Sequence, residues 1–237
     1  MGTYKIVLTG GPCGGKTESI KFLSNALSEN KYSVKTVDET ATSLLNLGYE
    51  PKKNISLFDF QNLLFKIQFL KEYISENKSN ILLCDRGLLD AKTYIGDNDF
   101  KKVLELNRLD EGKILSTYDG ALYFRSISYD YPEEYSSKRI YETVEVARNR
   151  DRECINIWKN KLVPCNYSNL DGFVNKQKSL YISLKESLEK LKNTNPHSLS
   201  DFYSYDYYKF IYDGIDQILN NNKVDHNIKV KTKDLAR

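Results

Sequence analysis

The octapeptide Gly10-Gly11-Pro12-Cys13-Gly14-Gly15-Lys16-Thr17 limits what this chain can become more than any other stretch. It fits G-x-x-x-x-G-K-[ST], in which glycine lets successive backbone N–H groups curl round an anion without a Cβ clash. A helix opening directly behind the loop adds the partial positive charge of its N-terminus. In this pattern Lys16 neutralises the β- and γ-phosphates of a nucleotide, and the Thr17 hydroxyl ligates Mg²⁺. The stretch Gly10, Gly11, Pro12, Cys13, Gly14, Gly15, Lys16, Thr17 and Glu18 is therefore the expected nucleotide contact. The flanks agree with it. Residues 4–9 read as a short buried strand, and Ile20, Leu23 and Leu27 recur behind the loop at helical spacing.

Strands and helices alternate from there on. Residues 32–37 read as a second strand closing on Asp38 and Glu39, and residues 41–47 as a short helix stopped by Gly48. Ser56 with Asp59 three residues on resembles a helix cap, and a long apolar stripe follows through Phe60, Leu63, Leu64, Ile67, Leu70 and Ile74. Residues 80–85 form a continuous apolar run ending in an acid, as a parallel strand covered on both faces would. A helix from near Leu88, a fourth strand at 119–124, a helix at 143–159, a fifth strand at 162–165 and a closing helix at 180–191 complete the series. This order predicts a three-layer α/β fold of the P-loop NTPase type, with a doubly wound parallel sheet and the ligand at the carboxyl ends of its strands. Residues 1–192 are the expected nucleotide-binding, kinase-like domain, with a Tyr- and Ser-rich lid at about 125–143. Residues 193–237 are the expected C-terminal extension, rich in tyrosine and mostly helical.

Chemistry beyond the loop falls on a few acids and arginines. Asp85, closing its strand, stands where a P-loop site needs an acid for Mg²⁺ or for a water held near it. Arg86 follows. Mechanical ATPases usually carry Glu there to activate water, whereas nucleoside and nucleotide kinases often show Asp-Arg. An arginine at that place can grip an acceptor or the phosphoryl in transfer. Glu39 lies at the carboxyl end of the second strand and has two readings: a group that orients or deprotonates an acceptor hydroxyl, or an acid capping the next helix. Asp38 beside it is equally placed to point inward. Arg148 and Arg152, four apart, share one side of the helix after the lid. Asp151 falls in the apolar stripe of that helix and is expected to orient one of the two toward a triphosphate. Arg125 and Arg139 bracket the lid, while Tyr129, Tyr131 and Tyr135 within it either stack on a base or pack as it shuts.

Composition narrows the partners. A net charge of +3 gives no argument for nucleic acid but suits an enzyme that handles phosphates. No apolar run approaches the length of a bilayer span, and the chain leads from Met1 straight into a strand with no signal-peptide pattern. The four cysteines (Cys13, Cys84, Cys154 and Cys165) show no metal-ligand spacing, and His197 and His226 stand far apart. A reducing, cytoplasmic setting is the expectation.

Four of these stretches occur together in one known family. The loop itself, Asp-Glu-Thr-Ala-Thr at 38–42, Asp-Arg-Gly-Leu-Leu-Asp-Ala at 85–91 and Ala-Arg-Asn-Arg-Asp-Arg at 147–152 follow in family order. They resemble the P-loop domain shared by NadR-type ribosylnicotinamide kinases and the TRPL-translocation-defect proteins, a domain often labelled an AAA-type ATPase. The resemblance covers roughly residues 3–191. It implies that Gly10, Gly15, Lys16 and Thr17 bind nucleotide phosphates and Mg²⁺, that Glu39, Asp85 and Arg86 act on the acceptor side, and that Arg148 and Arg152 act from the lid helix. Two departures stand out: a lid richer in tyrosine, and a tail unlike the tunnel-type domain of the translocation-defect proteins.

Two functions are compatible with these residues. One is a kinase moving the γ-phosphoryl of ATP (or GTP) to a small acceptor such as a nucleoside, a nucleotide or a nicotinamide-riboside-like compound. The other is a regulatory GTP- or ATP-binding protein that hydrolyses slowly and contacts a membrane lipid or protein. Asn222-Lys223-Val224-Asp225 matches a guanine-reading tetrapeptide, but it trails a predicted helix rather than a buried strand, and no Asp-x-x-Gly switch accompanies it. A mechanical ring ATPase is disfavoured by Arg86 and by the lack of a second helical domain.

Overall fold

Along the first strand, side chains alternate between two faces, and that alternation sorts the molecule into layers. The computed structural model describes residues 2–76, 78–138, 142–165, 167, 169, 172–222 and 225–236. Its first half runs β1 (Tyr4–Gly10), α1 (Lys16–Glu29), β2 (Val34–Val37), α2 (Thr40–Asn46), α3 (Leu57–Ser75) and β3 (Ile81–Asp85). A 3₁₀ turn over Leu88–Ala91 leads into α4 (Lys92–Leu106), α5 (Glu111–Ser116) and β4 (Gly120–Phe124). The rest is helical: α6 (Pro132–Lys138), α7 (Val144–Trp158), α8 (Phe173–Leu191), α9 (Leu199–Phe202), α10 (Tyr205–Asn221) and α11 (His226–Leu235).

All four strands are parallel, in the order β2-β3-β1-β4. Ile6 and Leu8 of β1 pack with Ile20, Leu23 and Leu27 of α1 and with Leu180, Leu184 and Leu188 of α8. Val7, on the opposite face, joins the larger core of α3, α4, α7 and α10, which includes Phe65, Phe69, Phe100 and Trp158. Helices thus cover both faces of the sheet, and the fold is a three-layer α/β P-loop fold with a doubly wound parallel sheet. The register Leu8↔Asp85, Val37↔Cys84 and Gly10↔Phe124 brings the carboxyl ends of all four strands to one edge.

Some predicted elements move. The fifth strand reduces to a single parallel bridge between Ala121 and Leu162, with Ala121 N donating to Lys161 O at 2.7 Å and Val163 N to Ala121 O at 2.9 Å. Pro164 follows at once, and with no N–H it cannot extend the ladder. The closing helix begins at Phe173, earlier than its apolar spacing from Leu180 suggests. Ser56 caps α3 as expected, its hydroxyl accepting from Asp59 N at 3.0 Å. Within the expected lid the chain forms α6; Arg139 and Tyr141 lie outside the described residues, as do Lys223 and Val224 of the tetrapeptide.

The tyrosines of the C-terminal stretch serve packing. Tyr203 and Tyr207 meet Phe69 of α3 edge-on at 5.7 and 5.6 Å, and Tyr208 lies over Tyr73 at 5.4 Å. Ile211, Ile215, Ile218 and Leu219 complete the apolar face of α10 against the core. From α11, Thr232 Oγ1 meets the buried Tyr49 hydroxyl at 2.7 Å. No described helix is long and apolar enough to cross a membrane.

Under the sheet lies a charged cluster. Lys5 of β1 is buried, with its ammonium 3.2 Å from Glu72 and in contact with Glu76. Burial pulls the Lys5 ammonium down, but the two carboxylates outweigh it and keep it charged. Glu72 also accepts from the Tyr118 hydroxyl at 2.7 Å and from Gln68 Nε2 at 2.8 Å, and Glu76 accepts from the Leu199 amide at 2.7 Å. Glu72→Ala takes away one of the two carboxylates on Lys5 and the acceptor of two buried donors, while Glu76 still pairs the ammonium. It should lower unfolding free energy by about 1–3 kcal/mol, read from the urea midpoint. Asp119, which accepts from the Lys5 amide at 2.8 Å, is pushed up to about 6 by burial. An acid whose folded value lies above its unfolded one favours the fold while protonated, so this contribution is full below about pH 4 and lost as pH rises through about 6. Between those limits the urea midpoint of the wild type should fall relative to that of Asp119→Asn.

Candidate active site

Backbone crowding explains the first glycine of the loop. Gly10 has φ +122°, and a Cβ there would lie 2.1 Å from the Phe124 carbonyl oxygen. Gly15, at φ +82°, turns the chain into α1, so that the amides of its first turn open onto the loop. Lys16 then folds back, Nζ donating to Gly11 O at 2.7 Å and to Gly10 O at 3.2 Å. Burial and the nearby Arg86 charge pull its ammonium down to about 8, against the opposing pull of Asp85. A cavity of about 190 Å³ is lined by the loop from Pro12 to Glu18 together with Glu39 and Arg86.

Asp85 meets this loop. Its Oδ2 accepts from Thr17 Oγ1 at 2.9 Å, a contact set by the pairing of Leu8 with Asp85 across β1 and β3. Burial and the neighbouring Glu39 raise the Asp85 carboxyl, while Lys16 and the Thr17 hydrogen bond draw it down. Its Oδ1 is buried without a hydrogen-bond partner among the described residues. Two hard oxygens, one of them unsatisfied, fit Mg²⁺, which usually takes one or two protein ligands and fills its shell with phosphate and water. No cluster of three or more His, Cys, Asp or Glu side chains that could hold a metal occurs among the described residues.

Arg86 and Glu39 form the next contact. Arg86 adopts a left-handed backbone (φ +70°), held by its amide on Leu8 O at 3.0 Å and by Gln68 Nε2 on its carbonyl at 3.1 Å. That twist sends the guanidinium toward the loop: Nε donates to Glu39 Oε1 at 2.9 Å, and Nη1 lies 3.5 Å from Gly10 O. Burial pushes the Glu39 carboxyl up, but the Arg86 charge and the hydrogen bonds from Thr42 and Arg86 outweigh it and hold it below the usual range. Glu39 does occupy the N-cap position of α2, yet its side chain makes no capping bond and takes the Thr42 hydroxyl at 2.6 Å instead. Asp38 is exposed. Beyond this pair opens a second cavity of about 250 Å³, which shares Pro12, Glu39 and Arg86 with the first.

Other expected residues lie elsewhere. Arg148 Nη2 donates to the Ser128 carbonyl at 2.7 Å and its guanidinium stacks on Tyr129, whereas Arg152 is exposed and bonded to Asn149. Asp151 does not orient either arginine. It is buried and accepts from Gly11 N at 2.6 Å, from Ser126 N at 3.2 Å and from the Tyr123 hydroxyl. Buried amides at the start of the loop require an acceptor, and Asp151 supplies it. Arg125 stacks on Tyr129, and Tyr135 is wholly buried.

Three residues beside the site were not singled out in the sequence. Tyr94 lies between two guanidinium groups, Arg86 at 5.6 Å and Arg150 at 4.6 Å. Arg150, paired with Glu142 at 2.8 Å, is three residues past buried Ala147 and four before buried Cys154, a spacing that placed it near the inner face. Lys176 donates to the Gly14 carbonyl at 2.7 Å, and burial pulls its ammonium down to about 8; nothing in the sequence near it marks that role. Lys16→Ala should leave the fold intact but abolish nucleotide-induced thermal stabilisation. For the wild type that stabilisation should be about 2.7 kcal/mol at a hundred times Kd. An equal melting shift in the variant would remove Lys16 from the site.

A solved structure titled as a NadR protein in complex with NR aligns with TM-score 0.49 and 14% identity, covering 84% of this chain and 54% of that one. The chain thus spans about half the length of that solved structure. No curated protein matches it. A family model described as an AAA domain matches residues 5–170, which take in β1, the phosphate loop, Asp85, Arg86 and α7. With well over half of its length matched, the chain belongs to the AAA domain family, as a nucleotide-binding P-loop protein.

Proposed function

We propose that this protein is a Mg²⁺-dependent phosphotransferase that moves the γ-phosphoryl of ATP, or of GTP, to a hydroxyl of a small-molecule acceptor. The observation that carries this reading is the pair of cavities meeting at Pro12, Glu39 and Arg86. A protein that only hydrolyses its nucleotide needs one of them; transfer to a second substrate needs both.

The parts have separate duties. The loop amides and Lys16 receive the β- and γ-phosphates, and the Lys16 ammonium exchanges two carbonyl contacts for charged oxygens. Thr17 and Asp85 would hold Mg²⁺, which neutralises charge on the phosphate oxygens when bound. Glu39, kept ionised by Arg86, accepts the acceptor's O–H and aligns its oxygen with the γ-phosphorus. As the new P–O bond forms and the bond to the β-phosphate oxygen breaks, the hydroxyl proton passes to Glu39 and on to solvent. Arg86 spans both cavities and meets the charge on the group in transfer. In a loose transition state, positioning and charge neutralisation supply most of the acceleration.

Around this centre we assign further parts. Arg148 and Arg152 act on the phosphates from α7. The nucleotide base sits in the cavity of about 350 Å³ beside Arg125 and Tyr167, at the end of β4. Residues 1–192 carry the reaction, and residues 193–237 brace α3. Four free cysteines suit a reducing, cytoplasmic setting.

Glu39→Gln should retain ATP binding and lose acceptor phosphorylation by about 10²–10⁴-fold, measured with γ-labelled ATP or GTP and a panel of nucleosides, nucleotides and nicotinamide riboside. Full activity in that variant removes Glu39 from the mechanism. Label appearing only as free phosphate, with every acceptor untouched, would replace the kinase by a slowly hydrolysing regulatory NTPase.

A further inference from the structure

Side chains from two later helices turn the peptide units at either end of the phosphate loop. Gly11 N donates to Asp151 of α7 at 2.6 Å, and Gly10 O, on the same peptide, faces Lys16 Nζ at 3.2 Å. At the other end the order is reversed: Gly14 O accepts from Lys176 Nζ of α8 at 2.7 Å. A trans peptide holds its C=O and N–H on opposite sides. The carbonyl turned to Lys176 therefore sends the Gly15 N–H the other way, toward the cavity that the loop lines. That N–H donates to no group among the described residues.

Nothing within the loop fixes this orientation. The peptide lies between two glycines, the residues that restrict backbone rotation least, and Gly15 stands at φ +82°. Such a peptide turns over at little cost, and once reversed it would present a carbonyl to an anion instead of an N–H. The restraint comes from α8. Next to Lys176, Gln177 Nε2 donates to Ser19 Oγ at 2.6 Å, and Ser19 Oγ donates to Gly15 O at 2.7 Å. Consecutive residues of one helix thus hold the carbonyls of Gly14 and Gly15, the first directly and the second through Ser19.

A lysine is a costly means of holding a carbonyl unless its charge is also used. Lys176 is 7% exposed, and its remaining contacts are Asn169 Oδ1 at 3.1 Å and the rings of Phe124 and Tyr167 at 5.2 and 4.8 Å. No carboxylate among the described residues pairs with it. Burial pulls its ammonium down to about 8 against the weaker pull of Cys165, Asp130 and Glu18. A cation left unpaired behind an anion-binding loop meets its counter-charge when phosphate arrives.

We infer that Lys176 is a positioning residue for nucleotide binding, holding the Gly14–Gly15 peptide so that the Gly15 N–H meets the polyphosphate. This role rests on nucleotide binding by the loop, and is independent of which acceptor is used or whether transfer follows. The probe is inorganic tripolyphosphate with Mg²⁺, which occupies the loop without a base, compared with a non-hydrolysable ATP analogue. Calorimetry gives the affinities, and NMR of protein carrying isotope-labelled glycine follows the Gly15 amide. In the wild type that amide proton should move downfield as tripolyphosphate binds. Lys176→Met should weaken tripolyphosphate and the ATP analogue by one common factor of about 10–100-fold, and abolish the Gly15 shift. Melting without any anion checks that the variant is folded; if it is not, Lys176→Leu takes its place. The role is overturned if the wild-type Gly15 amide does not respond, or if the variant binds tripolyphosphate within a few-fold of wild type. It is equally overturned if affinity falls while the Gly15 shift persists, which would leave Lys176 only a distant charge. Weakening of the ATP analogue alone also overturns it, and would assign Lys176 to the base cavity. None of these readouts needs phosphoryl transfer, so failure of the transferase reading leaves Lys176 in place and the two failures are told apart.

Discussion

Parallel pairing of β1 with β3 in one register is the constraint on which the site depends. With Leu8 opposite Asp85, the acid that ends one strand comes level with the loop that leaves the other, and Thr17 Oγ1 reaches it at 2.9 Å. A slip of one residue would turn every side chain of β3 to the opposite face and carry Asp85 away from the loop. That register is fixed by burial on both sides. Ile81 and Leu83 belong to the layer under α1 and α8, while Leu82 and Cys84 pack with Val37 on the other face.

How much of this was legible in the sequence follows from how local each feature is. The loop, Asp85, Arg86 and Glu39 sit at strand ends, and strand ends of a parallel sheet share one edge, so their proximity could be read from order alone. Rotation of a helix about its axis is less legible. Arg148 and Arg152 stand four apart, but the face of α7 turned to the loop carries Asp151, and Arg150 beside that face reaches Tyr94. The task of Asp151 was hidden because its donors, Gly11 and Ser126, come from two distant segments that only the fold brings together. The expected strand at 162–165 failed on one residue, Pro164, whose effect on a ladder is visible in sequence once the partner strand is known.

Helix α3 serves both sides of the molecule. One face carries Phe60, Gln61, Leu64 and Gln68 to the second cavity, and another carries Phe69 and Tyr73 to the tyrosines of the C-terminal stretch. Its last turn supplies Glu72 to Lys5. A helix so engaged has little freedom to shift, and the groups it places keep fixed distances from Arg86. This is the kind of rigid support that a site relying on position requires.

The Leu199 amide on Glu76 has a consequence for the way distant parts of the chain influence one another. From that amide a series of desolvated contacts passes through Glu76, Lys5, Glu72 and Gln68 to the carbonyl of Arg86, with each polar atom satisfied by the next. The entrance to the C-terminal helices and the twisted backbone of Arg86 therefore share a single electrostatic balance. A neutralised or displaced group in this series changes the charge that its neighbours must accommodate.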